Sequence, residues 1–227
     1  MSGQRLNRVF SRPLTRVLLK TPLTPNQITL LSLGFGLLTG YFFSKGSYGF
    51  SLAAAASYQM AVVLDNCDGE VARAKNLRSE FGSWCDVFAD LVTDLSFFIG
   101  LAVGVERQGS PGPVGTFAAL CVSGAVLHFL LVVLEKSKGF GPAVFESPHP
   151  EYGQRRNPAL YVFDALREGD ASWFVIFFSL IGQAPLLLWA GGVYMQVLWI
   201  ASLFINFRWT FMNPAPPSNK KSSGGVG

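Results

Sequence analysis

The chain has 227 residues, 50% hydrophobic and only 14% charged, against about 25% charged in an ordinary soluble domain. Twenty phenylalanines and a positive mean hydropathy argue against a large soluble core and for a membrane protein. The net charge of +4 suits an anionic membrane surface, and the basic residues are scattered rather than clustered, so nucleic acid is not the expected partner.

Residues 1–24 carry five basic residues and no long apolar run before Thr24, so they do not read as a secretory signal. Within them, Arg5, Arg8, Arg12, Arg16 and Lys20 recur every three or four residues. Leu6, Val9, Phe10, Leu14, Val17 and Leu18 fill much of the remainder. This basic amphipathic pattern, broken or kinked at Pro13, predicts a helix lying in the membrane interface. The alternative is a solvated basic tail.

Thr24, Pro25 and Gln27 then form a helix start: a capping residue, a proline suited to the first position, and the return partner of a capping box. A first span is predicted over about 27–44, with Gly34, Gly36 and Gly40 permitting close helix contact. A second span is predicted over 49–68, a polar break over 69–81, and a third span over 83–105. The stretch 106–113 reads as a loop, and a fourth span covers 113–135. A polar segment, 136–170, holds one of the two histidines, His149. A fifth span is placed at 171–189 and a sixth from about 191, with the turn at Gln183–Pro185 or at Gly191 and Gly192. The tail 213–227, rich in Pro, Ser, Gly and Lys, reads as disordered.

The expected fold is therefore an all-α integral membrane protein of six transmembrane helices preceded by a short amphipathic interfacial helix. Segment 1–24 is juxtamembrane and 25–212 is the catalytic domain. The positive-inside rule supports this count. With the amino terminus in the cytoplasm, 16 of the 18 basic residues fall on the inner side, leaving only Lys45 and Arg107 outside. Both termini and the inner ends of spans two and three are then cytoplasmic.

Those inner ends hold the unusual chemistry. Eight of the 14 acidic residues lie between 65 and 106. Asp65 and Asp68 are three apart, and Asp86 and Asp90 four apart, so each pair shares a helix face. Bare carboxylates crowded in an apolar setting are costly. A divalent cation, or two, resolves the repulsion, and clustered carboxylates select Mg²⁺ or Mn²⁺, with substrate phosphate completing the shell. Gly69 and Gly82 leave room for phosphate or nucleotide, and Arg73 offers planar donors to phosphate. Cys67, Cys85 and Cys121 make no paired framework, and thiolate ligation is disfavoured beside so many carboxylates. Solvated helix ends are the bland alternative for the aspartates.

The string Asp65-x2-Asp68-Gly69-x2-Ala72-Arg73-x8-Gly82-x3-Asp86-x3-Asp90 resembles, position for position, the signature of the CDP-alcohol phosphatidyltransferase family. The resemblance implies a CDP-linked donor held on divalent metal, attack of an alcohol hydroxyl on phosphorus, and release of CMP. It implies Asp65, Asp68 and Asp86 as metal ligands and Asp90 as general base, itself touching metal. Gly69, Ala72, Arg73 and Gly82 resemble the nucleotide-binding positions. A membrane lipid on the donor or acceptor side and a homodimer are further implications. The strings KTPLTPNQIT and DGEVAR are similar to the branch handling inositol-type alcohols, with CDP-inositol as an alternative donor.

Arg155 and Arg156, or Lys136 and Lys138, are candidates to bind an acceptor phosphate, with topology and lipid headgroup contact the competing role. Asp94, one turn past Asp90, is a candidate supporting group. His149 reads as a loop residue. Two rival readings are a cation transporter, which lacks polar residues continuing through the spans, and a non-catalytic membrane protein, which the complete set of aspartates disfavours.

Overall fold

The structure, a computed structural model, describes residues 6–138 and 172–212. Among the described residues there are seven helices and no strand: α1 (Leu6–Leu18), α2 (Pro25–Ser44), α3 (Tyr48–Ala74), α4 (Glu80–Arg107), α5 (Val114–Lys138), α6 (Ser172–Leu180) and α7 (Ala184–Met212). Four of them, α2, α4, α5 and α7, are long and apolar enough to cross a membrane. Helix α3 has the length but ends in a polar third, and α6 has nine described residues.

Helix α2 is the hub, packed along both α3 and α4. Its contact with α4 is a backbone contact. A β-carbon on Gly40 would fall on the Ser96 carbonyl, and one on Gly100 would fall on the Gly40 carbonyl. Small residues let membrane helices approach this closely, because packing replaces the missing hydrophobic drive between helices in lipid. The α2–α3 seam adds hydrogen bonds: Ser32 Oγ donates to Ala61 O (2.9 Å) and Ser57 Oγ to Phe35 O (2.8 Å). Phe43, Phe97 and Phe98 fill the next layer edge to face, joined by Leu101, Val105 and Leu188. Helix α5 packs on α7, and α1 lies on α3.

Several boundaries differ from the sequence reading. Helix α1 continues through Pro13 rather than breaking there. Helix α2 starts at Pro25, and Gln27 Oε1 accepts from the Thr24 amide at 2.9 Å, as the capping residues predicted. The expected polar break at 69–81 is mostly helix. Helix α3 runs on to Ala74, because Glu70, Ala72 and Arg73 are strong helix formers that outweigh one glycine. The true break is 75–79, and α4 starts at Glu80, where Ser79 Oγ caps by accepting from the Gly82 amide at 3.0 Å.

Residues 136–138, expected in the polar loop, close α5. The last turn of the bundle falls at 181–183, with Gly182 at φ +69°, a conformation glycine adopts without strain. Gly191 and Gly192 lie inside α7. The rest of the expected loop, with His149, Arg155 and Arg156, and the tail 213–227 lie outside the described residues.

Candidate active site

Continuation of α3 through Ala74 has a direct consequence. Asp65, Asp68, Gly69, Ala72 and Arg73 stand at i, i+3, i+4, i+7 and i+8 of one helix, a single stripe. On α4, Gly82, Asp86 and Asp90 recur every four residues and form a second stripe. The two stripes meet where the helices begin and end, on either side of the 75–79 connection.

One carboxylate oxygen from each of Asp65, Asp68 and Asp86 lies within 4.8 Å of the other two. Asp68 is buried, Asp65 and Asp86 are half-buried, and the Asp65 and Asp86 side chains are in hydrogen-bonding contact. Asp90 is not a member of this group of three. It is exposed and sits one turn further along α4, close enough to Asp86 to interact with it electrostatically. Three converging hard oxygen donors fit Mg²⁺ or Mn²⁺ better than a softer ion. The three cysteines are free. Cys67 is buried on the opposite side of α3, its thiol directed at Ser11 O (3.5 Å).

The predicted nucleotide positions lie on the same two stripes, Gly69, Ala72 and Arg73 on α3 and Gly82 on α4. Arg73 is exposed and folds back along its own helix, so that a β-carbon on Gly69 would touch its guanidinium at 3.4 Å. The space over Gly82, expected to be open, is bounded by neighbours: a β-carbon there would lie 2.9 Å from Asn26 Oδ1 and 3.0 Å from Ser79 Oγ. Asn26, in the first turn of α2, is thus placed beside the site.

Two further contacts escaped the sequence reading. Thr29 Oγ1 donates to Asp68 Oδ2 at 2.5 Å, both residues buried. Lys136, expected in the polar loop as a candidate for an acceptor phosphate, crosses from the end of α5 to the start of α4. Its Nζ donates to Ser83 O (2.6 Å) and to Ser83 Oγ, lies 5.1 Å from the Trp84 ring centroid, and interacts with Asp86 and Asp90. Thr29 was visible as a polar residue one turn after Pro25. Nothing in the sequence links Lys136 to an aspartate some fifty residues earlier.

A family model described as CDP-alcohol phosphatidyltransferase matches residues 22–150. The chain is 29% identical over 121 residues to a bifunctional IPC transferase and DIPP synthase of Archaeoglobus fulgidus, a match covering 53% of this chain and 24% of that protein. It is 31% identical over 98 residues to a phosphatidylinositol phosphate synthase of Corynebacterium glutamicum, covering 43% and 44%. An archaetidylinositol phosphate synthase of Pyrococcus horikoshii is 32% identical over 96 residues, covering 41% and 50%. The chain therefore spans about a quarter of the bifunctional relative and about half of the two synthases. The crystal structure of Mycobacterium tuberculosis phosphatidylinositol phosphate synthase (PgsA1) with CDP-DAG bound shares the fold, with a TM-score of 0.57 and 19% identity over 90% of this chain and 94% of that one.

Proposed function

Because the chain belongs to the CDP-alcohol phosphatidyltransferase family, we propose that it transfers a substituted phosphate from a CDP-linked donor to an alcohol hydroxyl, releasing CMP. The observation that carries this is the convergence of Asp65, Asp68 and Asp86 beside an exposed Arg73 and an exposed Asp90.

Asp65, Asp68 and Asp86 hold the divalent ion, with Asp90 a further oxygen donor at its edge. Bound there, Mg²⁺ or Mn²⁺ supplies neutralisation of the donor diphosphate and of the departing CMP. Arg73 pairs with phosphate oxygens through its planar donors, Gly69 and Ala72 let the nucleotide lie against the α3 backbone, and Gly82, bounded by Asn26 and Ser79, lines it from α4. Asp90 accepts the proton of the attacking hydroxyl. The hydroxyl oxygen bonds to phosphorus as the bond to the CMP oxygen breaks, and CMP carries that electron pair away. Asp90 works by position more than by basicity, since a carboxylate beside cations is a weak base. Lys136, facing Asp86 and Asp90, offers a positive charge on the acceptor side. Arg155 and Arg156 remain candidates for an acceptor phosphate.

The relatives named as phosphatidylinositol phosphate and archaetidylinositol phosphate synthases favour an inositol-type acceptor and a lipid-linked donor. CDP-inositol as donor is the second reading, favoured by the strings KTPLTPNQIT and DGEVAR. The membrane arrangement proposed is six spans, with α3 and α6 completing the four apolar helices and α1 in the interface. The active site and both termini face the cytoplasm, residues 25–212 form one catalytic unit, and the enzyme is a homodimer.

The test is incubation of the purified protein with Mn²⁺ or Mg²⁺ and crossed panels of CDP-diacylglycerol, CDP-inositol, inositol phosphate and other alcohols, reading CMP. No CMP from any pair would overturn the proposal. Sidedness is tested by an impermeant thiol reagent on sealed cells carrying Lys45→Cys or Lys20→Cys in a cysteine-free background: the first should label from outside, the second only after lysis.

A further inference from the structure

Glu70 lies inside the motif but off its stripe, and it faces α1 rather than α4. Ser11 Oγ donates to Glu70 Oε1 at 3.2 Å, and Thr15 Oγ1 donates to Glu70 Oε2 at 2.6 Å. Both hydroxyls are buried. They belong to a polar ladder on the docked face of α1, where Asn7, Ser11 and Thr15 stand four residues apart. Asn7 Oδ1 accepts from Gln59 Nε2 at 2.7 Å, and Asn7 Nδ2 donates to Ser172 Oγ at 3.3 Å. An amphipathic helix that docked by its apolar side would turn Phe10 and Val17 inward. Here both are exposed, and the contact combines the polar side chains with Leu14 and Leu18, which share an apolar cluster with Val63, Leu64 and Val71 of α3.

The inner end of α3 is thus held from three directions. Asp65 meets Asp86 of α4, Asp68 meets Thr29 of α2, and Glu70 meets Ser11 and Thr15 of α1. Lys75 Nζ adds bonds to the carbonyls of Thr21 (2.8 Å) and Leu23 (3.0 Å), fastening the α1–α2 connection to the same turn. The first two links are made by the aspartates of the three-carboxylate group themselves. The Glu70 link uses no member of that group, and it acts between Gly69 and Arg73.

We infer that Glu70 is a positioning residue: held by the Ser11 and Thr15 hydroxyls, it sets the rotation of the last turns of α3 and so the placement of Gly69 and Arg73 for the donor. The kinetic part of this inference rests on the transferase reading above.

Glu70→Ala should raise the KM for the CDP-linked donor by about 10-fold, with kcat within about 3-fold and the Mn²⁺ requirement unchanged, because the lost bonds orient a binding surface and not the reacting atoms. Ser11→Ala with Thr15→Val should reproduce the rise. Combining the double variant with Glu70→Ala should add little, as expected for partners in one interaction. Glu70→Gln, which still presents one acceptor oxygen and a donor to the other hydroxyl, should recover part of the affinity. Hydrogen exchange at amides 67–74 should quicken in Glu70→Ala relative to the same amides in Glu70→Gln, in detergent and without substrate. An unchanged donor KM, a fully additive combination, or unaltered exchange would overturn the inference. If wild-type protein releases no CMP at all, the transferase reading falls, and the exchange comparison by itself decides whether Glu70 orders this end of α3.

Discussion

Thr29 Oγ1 donates to Asp68 Oδ2 across 2.5 Å, from the first turns of α2 to the last turns of α3. The bond holds the Asp68 carboxylate in place within the group of three. A ligand oriented by such a neighbour costs less to organise when an ion binds. Thr29→Val keeps the volume and removes the donor. Bonds to charged groups contribute about 1.5–3 kcal/mol, so Thr29→Val should raise the Mn²⁺ concentration giving half-maximal CMP release by about 10-fold or more. An unaltered Mn²⁺ titration would show that the bond has no part in metal affinity.

Asp90 differs from its neighbours in being exposed and outside the three-carboxylate group. Asp90→Asn should therefore lower kcat by about 10²–10⁴, the usual range for loss of a general base, while leaving most of the Mn²⁺ affinity in place. Asp65→Asn or Asp86→Asn should lose the metal first. Measuring Mn²⁺ binding and CMP release on the same preparations separates the two roles; equal loss of Mn²⁺ affinity in all three variants would make Asp90 a ligand and not the base.

Chelation with EDTA should abolish CMP release, and added Mg²⁺ or Mn²⁺ should restore it. The same ions should raise the unfolding temperature in detergent, since a ligand at 100 times its Kd stabilises by about 2.7 kcal/mol. Asp65→Asn combined with Asp86→Asn should remove that rise. A thermal shift that persists in the double variant would mean that the ion binds elsewhere.

The α2–α4 contact leaves no room for a side chain at Gly40 or Gly100, where the obstacle is backbone in both cases. Gly40→Leu and Gly100→Leu should each lower stability by about 1–3 kcal/mol or more, the usual cost of overpacking a close contact. Gly34→Leu, where a β-carbon meets nothing within 4 Å, serves as the neutral control. Thermal unfolding in one detergent compares the three. Equal behaviour at positions 34 and 40 would argue that the two helices do not pack this closely.

Much of this site was legible in the sequence because helical periodicity is a local property. The offsets between Asp65 and Asp68, and between Asp86 and Asp90, announce two carboxylate pairs on two helices, and Thr24, Pro25 and Gln27 mark the start of α2. The polar residues 69–74 misled for an equally physical reason. Polarity ends a membrane segment, but it does not end a helix when the residues are Glu, Ala and Arg. The turn near the end of the bundle was similarly ambiguous, since Gln183–Pro185 and the glycines at 191 and 192 all invite a break, and the turn falls at 181–183 with Gly182 at positive φ.

The sequence by itself determined that acidic groups concentrate in an apolar helical chain at spacings that pair them on helix faces, because spacing within a helix needs no partner. Tertiary structure decided which carboxylates converge, leaving Asp90 outside the group of three. It decided too that Thr29 and Glu70 would hold α3 from two sides, and that Lys136 would reach Asp86 and Asp90 from α5. These relationships join residues from five helices. They depend on how closely α2 packs on α4 and on which face α1 presents to α3, and no pattern along the chain encodes such distances.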